Sequence, residues 1–180
     1  MKAAELKAMF ERKARAMARR PAFGHGTGQA RIRLGDGFVC DVEHLDRKLV
    51  VDQPTHQGGS GRGHPPDELM RASIGASLAM GYRLWGARLG VRIDSVEVEM
   101  TCTYDERGQL GVSDDVPPGW QSVRFDVTLT SDAAEDELRQ VVQTADRLNP
   151  MLANLAPSVR RGHHLAIRRA GSSASERIVP

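Results

Sequence analysis

Two cysteines, Cys40 and Cys102, are the thiols available to this 180-residue chain. A thiol does redox or nucleophilic work as its thiolate, which needs a nearby cation or a helix N-terminus. Cys40 shares parity with Phe38 and Val42; Cys102 shares it with Val96, Val98 and Met100. Both therefore fall on core-facing strand positions, where a free cysteine behaves as a small hydrophobe. They are too few for a disulfide framework, and no CxxC or metal-type Cys/His spacing accompanies them. The histidines are scattered, so His56, His64, His163 and His164 make only a weak metal set, and we expect no metal. Ser77 sits in Ile-Gly-Ala-Ser-Leu-Ala, not in a Gly-x-Ser-x-Gly elbow. As a nucleophile it would need a base within hydrogen-bond reach and oxyanion donors. His64 is in the loop before it, while His163 and His164 are remote in sequence. The run GGSGRG at 58–63 lacks the Gly-Lys-Ser/Thr ending of a phosphate loop, and we expect no cofactor.

The element that must position Ser77 is the stretch 58–91, GGSGRGHPPDELMRASIGASLAMGYRLWGARLGV. A glycine-rich loop turns through Pro65-Pro66 into a helix. Asp67 and Glu68 meet the positive end of its dipole, and Gly90 is its stop. Leu69, Ala72, Ala76, Met80, Leu84 and Ala87 form one apolar stripe; Met70, Ile74, Leu78, Trp85 and Leu89 form another. A helix apolar on two faces is buried on both. Arg71, Arg83 and Arg88 exclude a membrane span. Gly75, Gly81 and Gly86, with small neighbours around Ser73 and Ser77, predict the close approach of another helix.

Residues 1–20 form a basic helical arm with Leu6, Met9, Phe10, Lys13 and Met17 on one side. Packing is its favoured role over contact with nucleic acid, for which no recognised motif is present. With Pro21 and the linker after it, the arm spans 1–25. Strands are expected at Gln29–Leu34, Phe38–His44 and Lys48–Gln53, joined by Gly35-Asp36-Gly37 and Leu45-Asp46-Arg47. Ile32, Leu34, Phe38, Leu49 and Val51 face inward. After the central helix come a strand at Val91–Tyr104, a loop at 105–119 and a strand at Ser122–Thr130. A helix capped by Ser131-Asp132 follows, with Leu138, Val141, Val142, Ala145 and Leu148 as its apolar side. Asn149-Pro150 breaks it; a short turn at Met151–Leu155 and a strand at His163–Arg169 follow. The last ten residues, 171–180, are a polar, mobile tail. Strands in hairpins plus two helices give an α+β fold with a mainly antiparallel sheet. One sheet cannot cover both faces of the central helix, which predicts a homodimer. With a net charge of +2 and no apolar run long enough for a span, we expect a soluble, cytoplasmic protein without a membrane partner.

The ordered text resembles the OsmC/Ohr family. LVVDQPTHQGGSGRGHPPDELMRASIGAS is similar to that family's strand, proline, Gly-Gly loop, acidic residue and Leu…Ala…Gly-Ala-Cys helix. VRIDSVEVEM resembles the next strand, and AEDELRQVVQTADRLNPMLANL resembles the second helix with its Cys-Pro ending. The match runs over roughly 30–168, within a domain taken as 26–170. The resemblance implies an OsmC-like fold, an intertwined homodimer around a long buried central helix, and composite sites at the interface. It implies a peroxidatic cysteine, a resolving cysteine, and an Arg and an acidic residue supporting the first thiolate. A dithiol or lipoyl group would restore the enzyme.

On this chain the peroxidatic position matches Ser77 and the resolving position matches Asn149. The acidic partner matches Asp67 or Glu68; Arg71 and Arg83 are not the family's arginine. Peroxide reduction passes through a sulfenic acid, which serine cannot form, and an amide cannot close a disulfide. The expectation is thus an OsmC-like protein linked to organic hydroperoxide and oxidative stress defence, without the two-cysteine peroxidase. Its interface pocket would take a small apolar or acidic ligand. Two enzymatic alternatives stay open: hydroperoxide reduction by Cys40 or Cys102, and non-redox chemistry by Ser77 or a histidine.

Overall fold

The computed structural model describes residues 3–44 and 47–171. The expected second turn at Leu45-Asp46 and the tail from residue 172 onward lie outside the described residues. The helices are α1 (Ala3–Arg19), α2 (Pro66–Leu89), α3 (Glu106–Gln109), α4 (Glu135–Arg147) and α5 (Pro150–Ala153). The strands are β1 (Arg31–Leu34), β2 (Cys40–His44), β3 (Arg47–Val51), β4 (Ser95–Tyr104), β5 (Trp120–Thr130) and β6 (Arg160–Arg168). They form two three-stranded sheets, ordered β1-β2-β3 and β4-β5-β6. The chain divides into two compact units: Lys13–Ser73, and Met1–Arg12 with Ile74–Pro180.

In the unit of Lys13–Ser73, β1, β2 and β3 pair antiparallel, with Ile32 opposite Val42 and Val42 opposite Leu49. The inward side expected of this meander is only partly covered. Val51 is buried, but Ile32, Leu34, Phe38 and Leu49 remain exposed in the single chain.

In the larger unit, β4 pairs antiparallel with β5, and β5 pairs in parallel with β6. A parallel pair needs a crossover of a dozen or more residues, and the segment carrying α4 and α5 supplies it. Val123, Phe125, Val127 and Leu129 alternate on the buried side of β5, as their period of two requires. Leu138, Val141, Val142 and Ala145 of α4 join this core with Ile74, Leu78 and Tyr82 of α2. Leu148, expected on the same stripe, is exposed because the helix stops at Arg147.

Helix α2 starts and stops where its sequence says. Pro66 opens it, Asp67 and Glu68 fill its first turn, and Gly90 follows it at φ +79°. Its Ile74/Leu78/Tyr82 side is buried, whereas Ala72, Ala76 and Met80 are exposed in the single chain. Among the described residues, no atom lies within 4 Å of a Cβ built on Gly75. Gly86 is different: a Cβ there would meet Ile93 Cδ1 at 2.9 Å and the Val91 carbonyl at 3.0 Å.

That packing explains a boundary the sequence misplaced. Val91 and Ile93 are apolar and alternate, but they are core residues turned back against Gly86, and the strand begins at Ser95. Ser131 does not cap α4 either. Its hydroxyl donates to the Arg92 carbonyl and accepts from the Ala133 amide, so it braces the loop. The cap position is Ala134, whose amide donates to Glu137 Oε2 at 3.2 Å. The expected loop after Tyr104 contains α3, started by the Asp105 side chain.

The N-terminal arm is helical as expected. Within the larger unit, Phe10 of α1 meets the Trp85 ring edge-on, with centroids 6.0 Å apart. The Arg88 guanidinium carbon lies 4.9 Å from the Phe10 ring and 4.6 Å from the Trp85 ring. Each such cation–π contact is worth about 0.5–1 kcal/mol where exposed.

Candidate functional site

The residues at positions 77 and 149 are brought together. Ser77 stands at the middle of α2, and Asn149 follows the Leu148 that ends α4. Ser77 Oγ donates to Asn149 Oδ1 at 3.3 Å. Gly81, one turn after Ser77, faces α4 and Asn149 with room for a methyl group. A Cβ added there would sit 3.8 Å from Ala145 Cβ and 3.9 Å from Asn149 Nδ2. Asn149 is only 4% exposed. Its Oδ1 also accepts from the Met151 and Leu152 amides at 2.9 and 3.0 Å, which makes it the N-cap of α5. These two bonds fall within the usual hydrogen-bond range; the Ser77 bond is longer than ordinary O–H···O contacts. Capping is therefore the stronger duty of this side chain.

One turn before Asn149, a second polar cluster crosses the same seam. The fully buried Tyr82 hydroxyl donates to Asp146 Oδ1 at 2.7 Å. His163 Nδ1 of β6 lies 2.9 Å from the other carboxylate oxygen. Burial first, and then the Asp146 charge, push the Tyr82 hydroxyl far above its ordinary range, so it remains a donor. This cluster was not legible in the sequence, because its members lie 64 and 17 residues apart and meet only through tertiary packing.

Asp67 and Glu68 belong to the unit of Lys13–Ser73. Arg71 Nη1 donates to Asp67 Oδ2 at 2.7 Å, and His64 Nδ1 lies 3.0 Å from Glu68 Oε2. The Asp67–Arg71 pair is of the i, i+4 kind on the first turns of α2, where an exposed pair is worth a few tenths of a kcal/mol; His64 precedes the helix. Each acid thus joins a residue of its own helix end.

Asp52, an acid that no local pattern marks out, organises the glycine-rich loop of that unit. Asp52 is 1% exposed. Its Oδ1 accepts from the Gln53 amide at 2.8 Å. Its Oδ2 accepts from the Ser60 hydroxyl at 2.6 Å and from the Ser60 and Arg62 amides at 3.0 Å each. The Ser60 hydroxyl bond, followed by the Arg62 amide bond, holds the carboxyl below its ordinary range. A depressed carboxyl stabilises the fold above its unfolded pKa, near 4, and that contribution is lost as pH falls through the folded value. Asp52→Ala removes both acceptor oxygens, so the Ser60 and Arg62 amides and the Ser60 hydroxyl lose their partner. The expected result is loss of hydrogen-exchange protection at the Ser60 and Arg62 amides at neutral pH. The unaltered chain should lose it only in acid. Protection that survives the substitution at pH 7 contradicts this account.

Cys40 opens β2 and Cys102 lies within β4; each is partly buried and neither starts a helix. Ser77's hydrogen-bond partner is an amide oxygen, and the two distal histidines pair with carboxylates instead: His163 with Asp146, and His164 with Asp126 at 3.6 Å. Among the described residues, no three His, Cys, Asp or Glu side chains gather to hold a metal. Among them also, no helix is long and apolar enough to cross a membrane.

A family model described as OsmC-like protein matches residues 58–161. No curated protein matches the chain significantly. Among solved structures, an OsmC-like protein from Mycoplasma pneumoniae aligns with a TM-score of 0.69 at 12% identity, over 79% of this chain and 98% of that one. An organic hydroperoxide resistance protein from Legionella pneumophila aligns at 0.60 and 17% identity, over 78% and 96%. The organic hydroperoxide resistance protein OhrB of Bacillus subtilis aligns at 0.53 and 16% identity, over 78% and 98%. At these identities the likeness is one of fold: a mixed α+β architecture with antiparallel pairing and a long helix.

Proposed function

Because the chain belongs to the OsmC-like protein family, we propose that it serves in defence against organic hydroperoxides and oxidative stress without running a two-cysteine peroxidase cycle itself. The observation that carries this reading is the Ser77–Asn149 contact. The two positions that the resemblance assigns to reacting sulfurs face each other at 3.3 Å and hold a hydroxyl and an amide. Peroxide O–O cleavage by a thiolate leaves a sulfenic acid, which a second thiol closes to a disulfide. Neither Ser77 nor Asn149 can take part in that exchange. The names of the Legionella and Bacillus structures support the stress-defence setting.

The working form is an intertwined homodimer in the cytoplasm. Ala72, Ala76 and Met80 of α2, with Ile32, Leu34, Phe38 and Leu49 of the first sheet, supply exposed apolar surface for it. Next to Ser77 the interface forms a pocket for a small apolar or acidic ligand.

The test is consumption of cumene hydroperoxide with a dithiol reductant. The purified chain should not exceed the uncatalysed rate, and Cys40→Ser and Cys102→Ser should leave the result unchanged. Brisk turnover abolished by Cys40→Ser or Cys102→Ser would transfer the chemistry to that thiol and end this reading.

A further inference from the structure

We propose that Tyr82, Asp146 and His163 are positioning residues that hold position 149 opposite position 77. This inference rests on the reading of those two positions as the family's reaction pair. Asn149 lies just beyond α4, where a helix end frays unless it is tied down. The tie passes through Asp146. Its carbonyl accepts from the Asn149 amide at 3.2 Å. Its carboxylate is held from two other elements, by the Tyr82 hydroxyl of α2 at 2.7 Å and by His163 of β6 at 2.9 Å. Helix α2 also carries Ser77, so the helix that presents one position anchors the residue that fixes the other. Apolar side chains could fill the same space at equal or better stability. A hydrogen-bonded set adds direction, since each donor has one acceptor and a shifted helix end would leave a buried hydroxyl unpaired.

The experiment uses the full chain carrying Ser77→Cys and Asn149→Cys, and measures its thiol–disulfide equilibrium against glutathione. Adding Tyr82→Phe or His163→Leu should lower the equilibrium constant about tenfold, the scale of an effect from sub-ångström misplacement. Val142→Ala serves as a control that loosens the same helix without touching the tie. It should lower Tm while leaving the constant within about twofold of its parent, which is small beside a coupled pair. Asp146→Ala is the harshest variant, and Tyr82→Phe and His163→Leu carry the test if it does not fold. Equal constants in parent, Tyr82→Phe and His163→Leu overturn the proposal. So does a fall in Val142→Ala that matches theirs. A parent variant that forms no 77–149 disulfide overturns the reaction-pair reading and this inference with it, so the two failures appear in different proteins.

Discussion

A chain carrying Ser77→Cys and Asn149→Cys is expected to turn over cumene hydroperoxide with dithiothreitol through an intramolecular disulfide, faster than either single variant. The thiolate introduced at position 77 attacks one peroxide oxygen and the O–O bond breaks. The alcohol leaves with a proton, and the sulfur is left as sulfenic acid. The thiol introduced at position 149 then attacks that sulfur, a disulfide forms and water leaves. Dithiothreitol reduces the disulfide by two exchanges and is itself oxidised. Only the double variant can complete this cycle, so its steady rate should exceed either single variant's by about tenfold or more, because a lone sulfenic acid is regenerated less directly. Ser77 bonds an amide oxygen rather than a cation. The rate should therefore rise with pH through the ordinary thiol range, about 8.5. A double variant that forms its disulfide but reduces peroxide no faster than the single variants would mean that more than sulfur is missing from the site.

Gly59→Ala is expected to break open the loop before α2. A Cβ on Gly59 would lie 1.8 Å from the Gln53 carbonyl oxygen, and one on Gly63 would lie 2.2 Å from the Val50 carbonyl oxygen. Backbone blocks both, so no side-chain rotation relieves the overlap. Overpacking of this kind costs about 1–3 kcal/mol or more. The shift must also pull Ser60 and Arg62 away from Asp52. Limited proteolysis should cut within 53–63 in Gly59→Ala and Gly63→Ala, and Tm should fall in both. Gly61→Ala tests a different cause: Gly61 has open space but a φ of +69°, so it should lose less stability than Gly59→Ala. A Gly59→Ala protein with the parent's Tm and protease resistance would refute this description of the loop.

The residues that were legible are those whose signals are local. Pro66, Asp67, Glu68 and Gly90 mark the ends of α2 by sterics and dipole alone. Leu138, Val141, Val142 and Ala145 mark the buried side of α4 by spacing. The Ser77 and Asn149 positions were found from the ordered resemblance, and their contact bears on both at once. What was not legible depends on partners distant in sequence. Val91 and Ile93 alternate like strand residues because a loop folded against Gly86 needs apolar side chains too. The β5–β6 pairing is parallel because of a crossover whose direction no local pattern encodes. Asp52 reads as an ordinary acid after a strand until Ser60 and Arg62 curl back onto it. Tyr82 reads as one more apolar position on its helix, since nothing nearby in sequence announces Asp146.

The cap that Asn149 places on α5 has an evolutionary consequence. Asparagine is among the best residues for starting a helix, and losing such a cap destabilises a protein by about 0.5–2 kcal/mol. A lineage changing this codon to cysteine alone would weaken α5 while Ser77 still left the new thiol without a partner. Changing Ser77 alone would create a sulfur that oxidises without a resolving neighbour. Each single step toward sulfur is therefore disfavoured, and the pairing of hydroxyl with amide behaves as a ratchet.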